Sequence, residues 1–238
     1  MQPAKGQLPR WKENNMTVNI AIDGPAGAGK STIADKIAEK TGFIHVDTGA
    51  LYRAMALYMI ENNTDITRED AVREACRSID VSISYENDTQ MVFLNGVNVN
   101  DRIRTEEVSQ MASKISAISA VRAHLLSLQQ DIARAHSVIM DGRDIGTLVL
   151  PDADVKIFLT ADPHVRALRR YNEQTARGIA CCLEDIEKDI IERDWRDAHR
   201  EIAPLKQAED VVLVDTSYLD IDGVVACICE ILKEKNIL

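Results

Sequence analysis

Short runs of apolar, β-branched residues alternate along this chain with stretches whose apolar positions recur at helical spacing. Val18-Asn19-Ile20-Ala21-Ile22 is the first such run and ends in Asp23. From Ser31 to about Lys40, Ile33, Ala34, Ile37 and Ala38 fall on one helix face, and Gly42 is placed to close that helix in a left-handed conformation. Phe43-Ile44-His45-Val46 predicts a second strand, and Tyr52 to Ile60 a second helix. Ser137-Val138-Ile139-Met140, Val155-Lys156-Ile157-Phe158-Leu159 and Val211-Val212-Leu213-Val214 predict three more strands. Five short strands separated by helices predict an α/β fold with a parallel sheet covered on both faces.

One region breaks this rhythm. Val81–Tyr85, Met91–Leu94 and Val97–Val99 alternate with period two, around Glu86-Asn87-Asp88 and an Asn95-Gly96 turn. This predicts a small antiparallel β insert at about 64–104, within a domain spanning 16–238. Its core would comprise 16–63, 105–161 and 204–238. Residues 1–15, with Lys5, Arg10, Lys12 and Glu13 and no apolar centre, do not form a secretory signal and are read as a disordered extension or an over-long start.

Charge narrows the functional classes. A formal net charge of −10 over 238 residues argues against general nucleic-acid binding, which favours basic proteins. An anionic substrate must then be held by local positive charge. No run reaches the ~18 apolar residues of a membrane helix, so a soluble cytoplasmic protein is expected, with a monomer as the default. Five cysteines suit neither a disulfide framework nor zinc spacing, and are read as small, mostly buried side chains.

The strongest chemical signal is Gly24-Pro25-Ala26-Gly27-Ala28-Gly29-Lys30-Ser31, which fits G-x-x-x-x-G-K-[ST] between a strand and an amphipathic helix. Glycines let successive backbone N–H groups turn towards phosphate oxygens. Lys30 supplies a charge to the β- and γ-phosphates, and the Ser31 hydroxyl is the expected Mg²⁺ ligand. The following helix points its positive end at the anion. This predicts an ATP-type site on a P-loop sheet. No Asn-Lys-x-Asp guanine reader is present.

Arginines cluster in the C-terminal third: Arg166, Arg169, Arg170, Arg177, Arg193, Arg196 and Arg200. Arg166, Arg169 and Arg170 share a helix face by i, i+3, i+4 spacing, as do Arg193, Asp197 and Arg200. Interleaved acids would also fit a solvated helix laced with ion pairs. Forked guanidinium groups nevertheless suit phosphate, and an arginine cluster beside a P-loop predicts phosphoryl transfer to a second phosphate under a helical lid at about 162–203.

Taken together, Ile22–Thr32, Asp47-Thr48-Gly49-Ala50-Leu51-Tyr52-Arg53, Ile103–Val108, Asp141-Gly142-Arg143-Asp144-Ile145-Gly146-Thr147, Lys156–Ala161, Arg193-Asp194-x-x-Asp197-x-x-Arg200 and Ala203-Pro204-Leu205 resemble the motifs of bacterial cytidylate kinases, from about Val18 to Thr216. The resemblance implies γ-phosphoryl transfer from ATP, with Mg²⁺, to CMP or dCMP in pyrimidine nucleotide metabolism. It implies that Lys30, Arg143, Arg166, Arg170 and Arg193 are catalytic. ATP would contact Gly24, Pro25, Ala26, Gly27, Ala28, Gly29, Lys30, Ser31, Thr32 and Arg169. CMP would contact Thr48, Arg53, Ser113, Arg122, Arg143, Asp144, Arg193, Asp197 and Arg200. Of these, Arg53, Arg143 and Arg200 match phosphate holders, Ser113, Arg122 and Asp144 match cytosine readers, and Arg193 and Asp197 match sugar contacts. Asp144 can accept from the cytosine amino group while Arg122 and Ser113 donate to N3 and O2. Ala26 departs from the serine common at its position, removing a hydroxyl contact worth at most ~1–2 kcal/mol.

The five histidines show no metal or triad spacing and are read as structural or surface residues. Asp47 and Asp141 end strands, where they would either meet ligands or cap turns. Two other functions remain open on the sequence: a P-loop kinase for a nucleoside or another metabolite, and a nucleotide-binding module without turnover.

Overall fold

A computed structural model describes residues 17–86 and 89–238; residues 1–16, including the extension expected over 1–15, and Asn87-Asp88 lie outside the described residues. The main sheet has five parallel strands: β1 (Asn19–Asp23), β2 (Ile44–Asp47), β6 (Val138–Gly142), β7 (Val155–Thr160) and β8 (Val212–Asp215), in the order β2-β6-β1-β7-β8. β1 is central. Its alternating side chains face two layers. Ile20 and Ile22 pack with Ile33 and Ile37 of α1 (Lys30–Thr41) and Val224 and Ile228 of α8 (Ile221–Glu234). Ala21 packs on the other face with Met140, Val46 and Ala133 of α5 (Ser119–Ala135). Ile20 and Ile22 are fully buried, each stabilising the fold by about 1.5–3 kcal/mol. The five strands fall within a residue or two of the sequence expectation.

A second core joins α2 (Thr48–Glu61), α3 (Glu69–Ser78), α4 (Glu106–Ile115) and α5 to a three-stranded antiparallel sheet, β3 (Val81–Glu86), β4 (Thr89–Leu94) and β5 (Val97–Asn98). Asn95 and Gly96 have φ of 49° and 78°, the left-handed pair that a two-residue hairpin turn requires. The insert is thus more than a β unit: it carries α3, whose Val72, Ala75 and Cys76 face the shared core. α2 also starts four residues ahead of its expected position, because Asp47 accepts from Ala50 N (3.0 Å) and caps it.

Two further helices, α6 (Pro163–Ala176) and α7 (Leu183–Ala198), form an antiparallel pair over the C-terminal edge of the sheet. The core between them is thin, consisting of Ala167, Ile186 and Ile190. The cysteine expectation needs correction: only Cys76 is buried, Cys182 and Cys227 are exposed, and all five are free. Cys182 precedes α7 at its N-terminal cap and Cys227 is on the solvent face of α8, where a small apolar group costs little.

Candidate functional site

The strand-to-helix turn after β1 is shaped by its glycines. A Cβ on Gly24, at φ +147°, would stand 2.0 Å from the Leu159 carbonyl oxygen of β7. Gly27 and Gly29 adopt φ of 76° and 88° and curl the backbone towards the start of α1. Lys30 is buried and donates to the Pro25 carbonyl (2.8 Å). Burial, and after it the Arg143 guanidinium, pulls the Lys30 ammonium down to about 7.

Ser31 Oγ donates to Asp141 Oδ2 (2.9 Å) at the end of β6. Asp141 Oδ1 lies 2.9 Å from His45 Nε2, and His45 Nδ1 lies 2.6 Å from Asp35 Oδ1. Burial opposes charge on His45, but its bonds to Asp141 and Asp35 outweigh that and push it up to about 10. Burial likewise pushes Asp141 up, and the His45 bond reverses this, holding its carboxyl below the usual range. Thr48 donates to the Asp141 carbonyl (2.7 Å).

A cleft of about 950 Å³ runs from this turn to α4, α5 and α7. Eleven cationic side chains and seven carboxylates line it, so it is locally positive in a chain of net charge −10. All the candidate residues named from the sequence line this one cleft except Gly24 and Pro25, which belong to the turn at its edge.

Within the cleft each arginine is differently engaged. Arg166 is almost fully buried and donates to Ala161 O (2.9 Å), Ala26 O (3.0 Å) and Asp194 (2.6 Å), tying the glycine-rich turn to α6 and α7. Arg169 holds Thr216 through its hydroxyl (3.0 Å) and carbonyl (2.6 Å). Arg170 reaches across to Glu106 of α4 (2.6 Å). The three therefore leave their helix in different directions rather than presenting one guanidinium face. Arg53 pairs with Asp47 (2.7 Å), and Arg143 with Asp197 (3.1 Å). Arg200 donates to Ser116 Oγ (2.9 Å). Ser113, on α4, lines the cleft beside this group.

Asp144 pairs with Arg122, both buried; Arg122 also donates to the Ser116 carbonyl (3.0 Å) and lies 5.7 Å from the Tyr52 ring centroid. Burial raises Asp144 despite the Arg122, Arg200 and Arg143 charges beside it. Buried Nε atoms of Arg53, Arg122 and Arg193, and Nη2 of Arg200, have no hydrogen-bond partner among the described residues. Burial, then Arg143, lowers Arg193 to about 10. Unsatisfied buried donors at this density are costly unless an anion completes them.

Sequence reading missed four contributors. Asp23, pushed up to about 6 by burial that outweighs its two backbone bonds, accepts from Ile145 N and Gly146 N (2.8 Å each). It thereby fixes the turn that carries Asp144. Ser116 joins Arg122 to Arg200, Arg104 lines the cleft, and His45 is buried beside Asp141. For His45 the available signal was the i, i+4 pair Ser31 and Asp35 on α1 facing the same sheet edge.

A glycine-rich turn opening a helix, at the C-terminal edge of a parallel sheet with arginines opposite, defines a P-loop nucleotide-binding protein. The cytidylate kinase family model matches residues 20–234. A cytidylate kinase of Lactobacillus johnsonii is 48% identical over 93% of this chain and 96% of its own. One from Carboxydothermus hydrogenoformans is 45% identical over 92% and 99%. A solved structure of an uncharacterized protein from Eubacterium ventriosum shares the fold at a TM-score of 0.50 and 12% identity, covering 92% of this chain and 99% of that one. The chain belongs to the cytidylate kinase family. Among the described residues, no helix is long and apolar enough to cross a membrane.

Proposed function

We propose that this enzyme transfers the γ-phosphoryl group of ATP to CMP or dCMP, yielding ADP and CDP or dCDP. The observation that carries the reading is the set of buried, unpartnered guanidinium nitrogens on Arg53, Arg122, Arg193 and Arg200 in the cleft that holds Lys30. A nucleoside or neutral metabolite as acceptor would leave these N–H donors without an anionic acceptor.

ATP phosphates lie in the 24–31 turn, with Lys30 on the transferred group and Thr32 at the helix start. Ser31, a hard oxygen donor beside the Asp141 carboxylate, suits Mg²⁺. Among the described residues no group of three or more His, Cys, Asp or Glu could hold a metal. This matches the habit of Mg²⁺ to rely on substrate phosphates. When bound, the ion neutralises charge on the phosphate oxygens.

On the acceptor side, Arg53, Arg143 and Arg200 grip the CMP phosphate, Arg193 and Asp197 hold the sugar, and Thr48, buried and bonded to the Asp141 carbonyl, lines the cleft beside them. Asp144, Arg122 and Ser113 read cytosine. Arg122 and Asp144 already hold each other in place, so the reader is preformed. No general base is needed, because the attacking phosphate oxygen is already anionic. Arg143, Arg166, Arg170 and Arg193 act on the transferred group from the lid side, Arg166 chiefly by fixing the Ala26 carbonyl. Residues 162–203 act as a lid over both substrates, with 64–104 as the monophosphate-side insert in a single 16–238 domain. Closure expels water and suppresses ATP hydrolysis. We place the enzyme in the cytoplasm as a monomer without nucleic-acid partners.

A coupled assay of ADP release with CMP, dCMP, UMP, AMP, cytidine and shikimate tests this. Turnover should be confined to the cytosine monophosphates or strongly favour them. Turnover with cytidine or shikimate alone, or binding without CDP formation, would overturn it.

A further inference from the structure

Four side chains from three elements form a hydrogen-bonded chain beneath the phosphate turn. Ser31 and Asp35 are one turn apart on α1 and point at the same sheet edge. β2 pairs with β6 so that His45 lies opposite Ile139, and Asp47 opposite Asp141. His45 and Asp141 are therefore two positions offset on neighbouring strands, and their side chains rise on the same face. The chain of bonds runs Ser31 Oγ to Asp141 Oδ2 (2.9 Å), Asp141 Oδ1 to His45 Nε2 (2.9 Å), and His45 Nδ1 to Asp35 Oδ1 (2.6 Å). Asp35 is solvent-facing, with its side chain 61% exposed, whereas His45 and Asp141 are 9% and 5% exposed.

We infer that His45, steadied by Asp35, is a positioning residue for the metal–nucleotide site: it fixes the Asp141 carboxylate, which in turn fixes the Ser31 hydroxyl. The inference rests on the assignment of Ser31 to Mg²⁺ above. A carboxylate at the end of a strand can rotate about its χ2. His45 holds one oxygen, so the other is aimed at Ser31. A Ser31 hydroxyl whose proton is committed to Asp141 presents its lone pairs outward, the orientation a cation needs. Outer partners of this kind commonly alter metal affinity by 10–100-fold. None of the three members of this chain beyond Ser31 is needed to contact a nucleotide, so the CMP side should not feel their loss.

The test is Mn²⁺ binding to the full chain in the presence of ADP, titrated by electron paramagnetic resonance, with melting temperature and CMP KM recorded in parallel. His45→Phe fills the space but donates to neither carboxylate. His45→Gln keeps an N–H donor for Asp141. Asp35→Asn alters only the exposed end of the hydrogen-bonded chain. We expect Mn²⁺ affinity to fall about tenfold in His45→Phe, to recover to within about threefold in His45→Gln, and to fall about twofold in Asp35→Asn, with CMP KM unchanged. Wild-type Mn²⁺ affinity retained in a folded His45→Phe protein would overturn the positioning role. So would equal losses in the Phe and Gln variants that track melting temperature, since that is the signature of a purely structural histidine. Failure of the wild type itself to bind Mn²⁺ with ADP would instead sink the Ser31 assignment beneath it.

Discussion

Asp144→Asn isolates base recognition with a change of one atom. Asp144 is 5% exposed and held by Arg122, itself 7% exposed. As a carboxylate it can only accept, which suits the cytosine amino group and opposes the uracil O4. Asparagine can rotate its amide to donate instead. Losing a charge-assisted bond costs about 1.5–3 kcal/mol, which lowers kcat/KM for CMP by about tenfold to 150-fold. A new neutral bond to uracil O4 recovers about 0.5–1.5 kcal/mol, so the CMP-to-UMP ratio should narrow by roughly 100-fold. Stability should fall as well, because Arg122 keeps its buried charge without a counter-ion, a loss of up to about 3–5 kcal/mol. The companion variant Arg122→Gln in the Asp144→Asn background removes that charge and should restore much of the melting temperature without restoring selectivity. Steady-state kinetics with both monophosphates, alongside thermal melts, read out all of these. A CMP-to-UMP ratio within about twofold of wild type, in a protein that still melts cooperatively, would refute the base-reading role.

Lys30 stands near 7 in the free protein, so above that pH it is largely neutral and should take up a proton when phosphates arrive. Calorimetry of ATP binding at pH 8 in buffers of different ionisation enthalpy should show net proton uptake that Lys30→Met abolishes. Gly24→Ala drives a Cβ against the Leu159 carbonyl and should abolish ATP binding or folding. Gly29→Ala meets no neighbour and should cost only about 1–2 kcal/mol of backbone strain, a difference that nucleotide binding and melts would reveal. His45 is raised to about 10, so its contribution to stability is complete below its ordinary 6.5 and is lost as pH climbs through 10. Melting temperature should therefore fall across that alkaline window in the wild type, and less steeply in His45→Phe.

The sequence alone determined the sheet and the phosphate turn. Strand periodicity is local, and glycine spacing around Lys30 states its own backbone requirement, as the left-handed Gly27 and Gly29 show. Arg53, Arg143, Asp144, Arg193, Asp197 and Arg200 sit in short contiguous motifs and could be singled out from them, whereas Ser113 and Arg122 lie in no such stretch and came only from the family resemblance; all eight line the cleft. Helix α3 was not: its apolar positions make a core only against α5 and the rest of the second core, far away in sequence. Nor could spacing foresee that Arg166, Arg169 and Arg170 part company, since their partners Ala26, Thr216 and Glu106 arrive from distant segments. Asp23, Ser116 and His45 gain meaning only where strands 90 or more residues apart lie side by side, or where a helix end meets a loop across the cleft. Local sequence specifies backbone conformation and burial pattern; which charges face one another in a low-dielectric cleft is decided by tertiary packing.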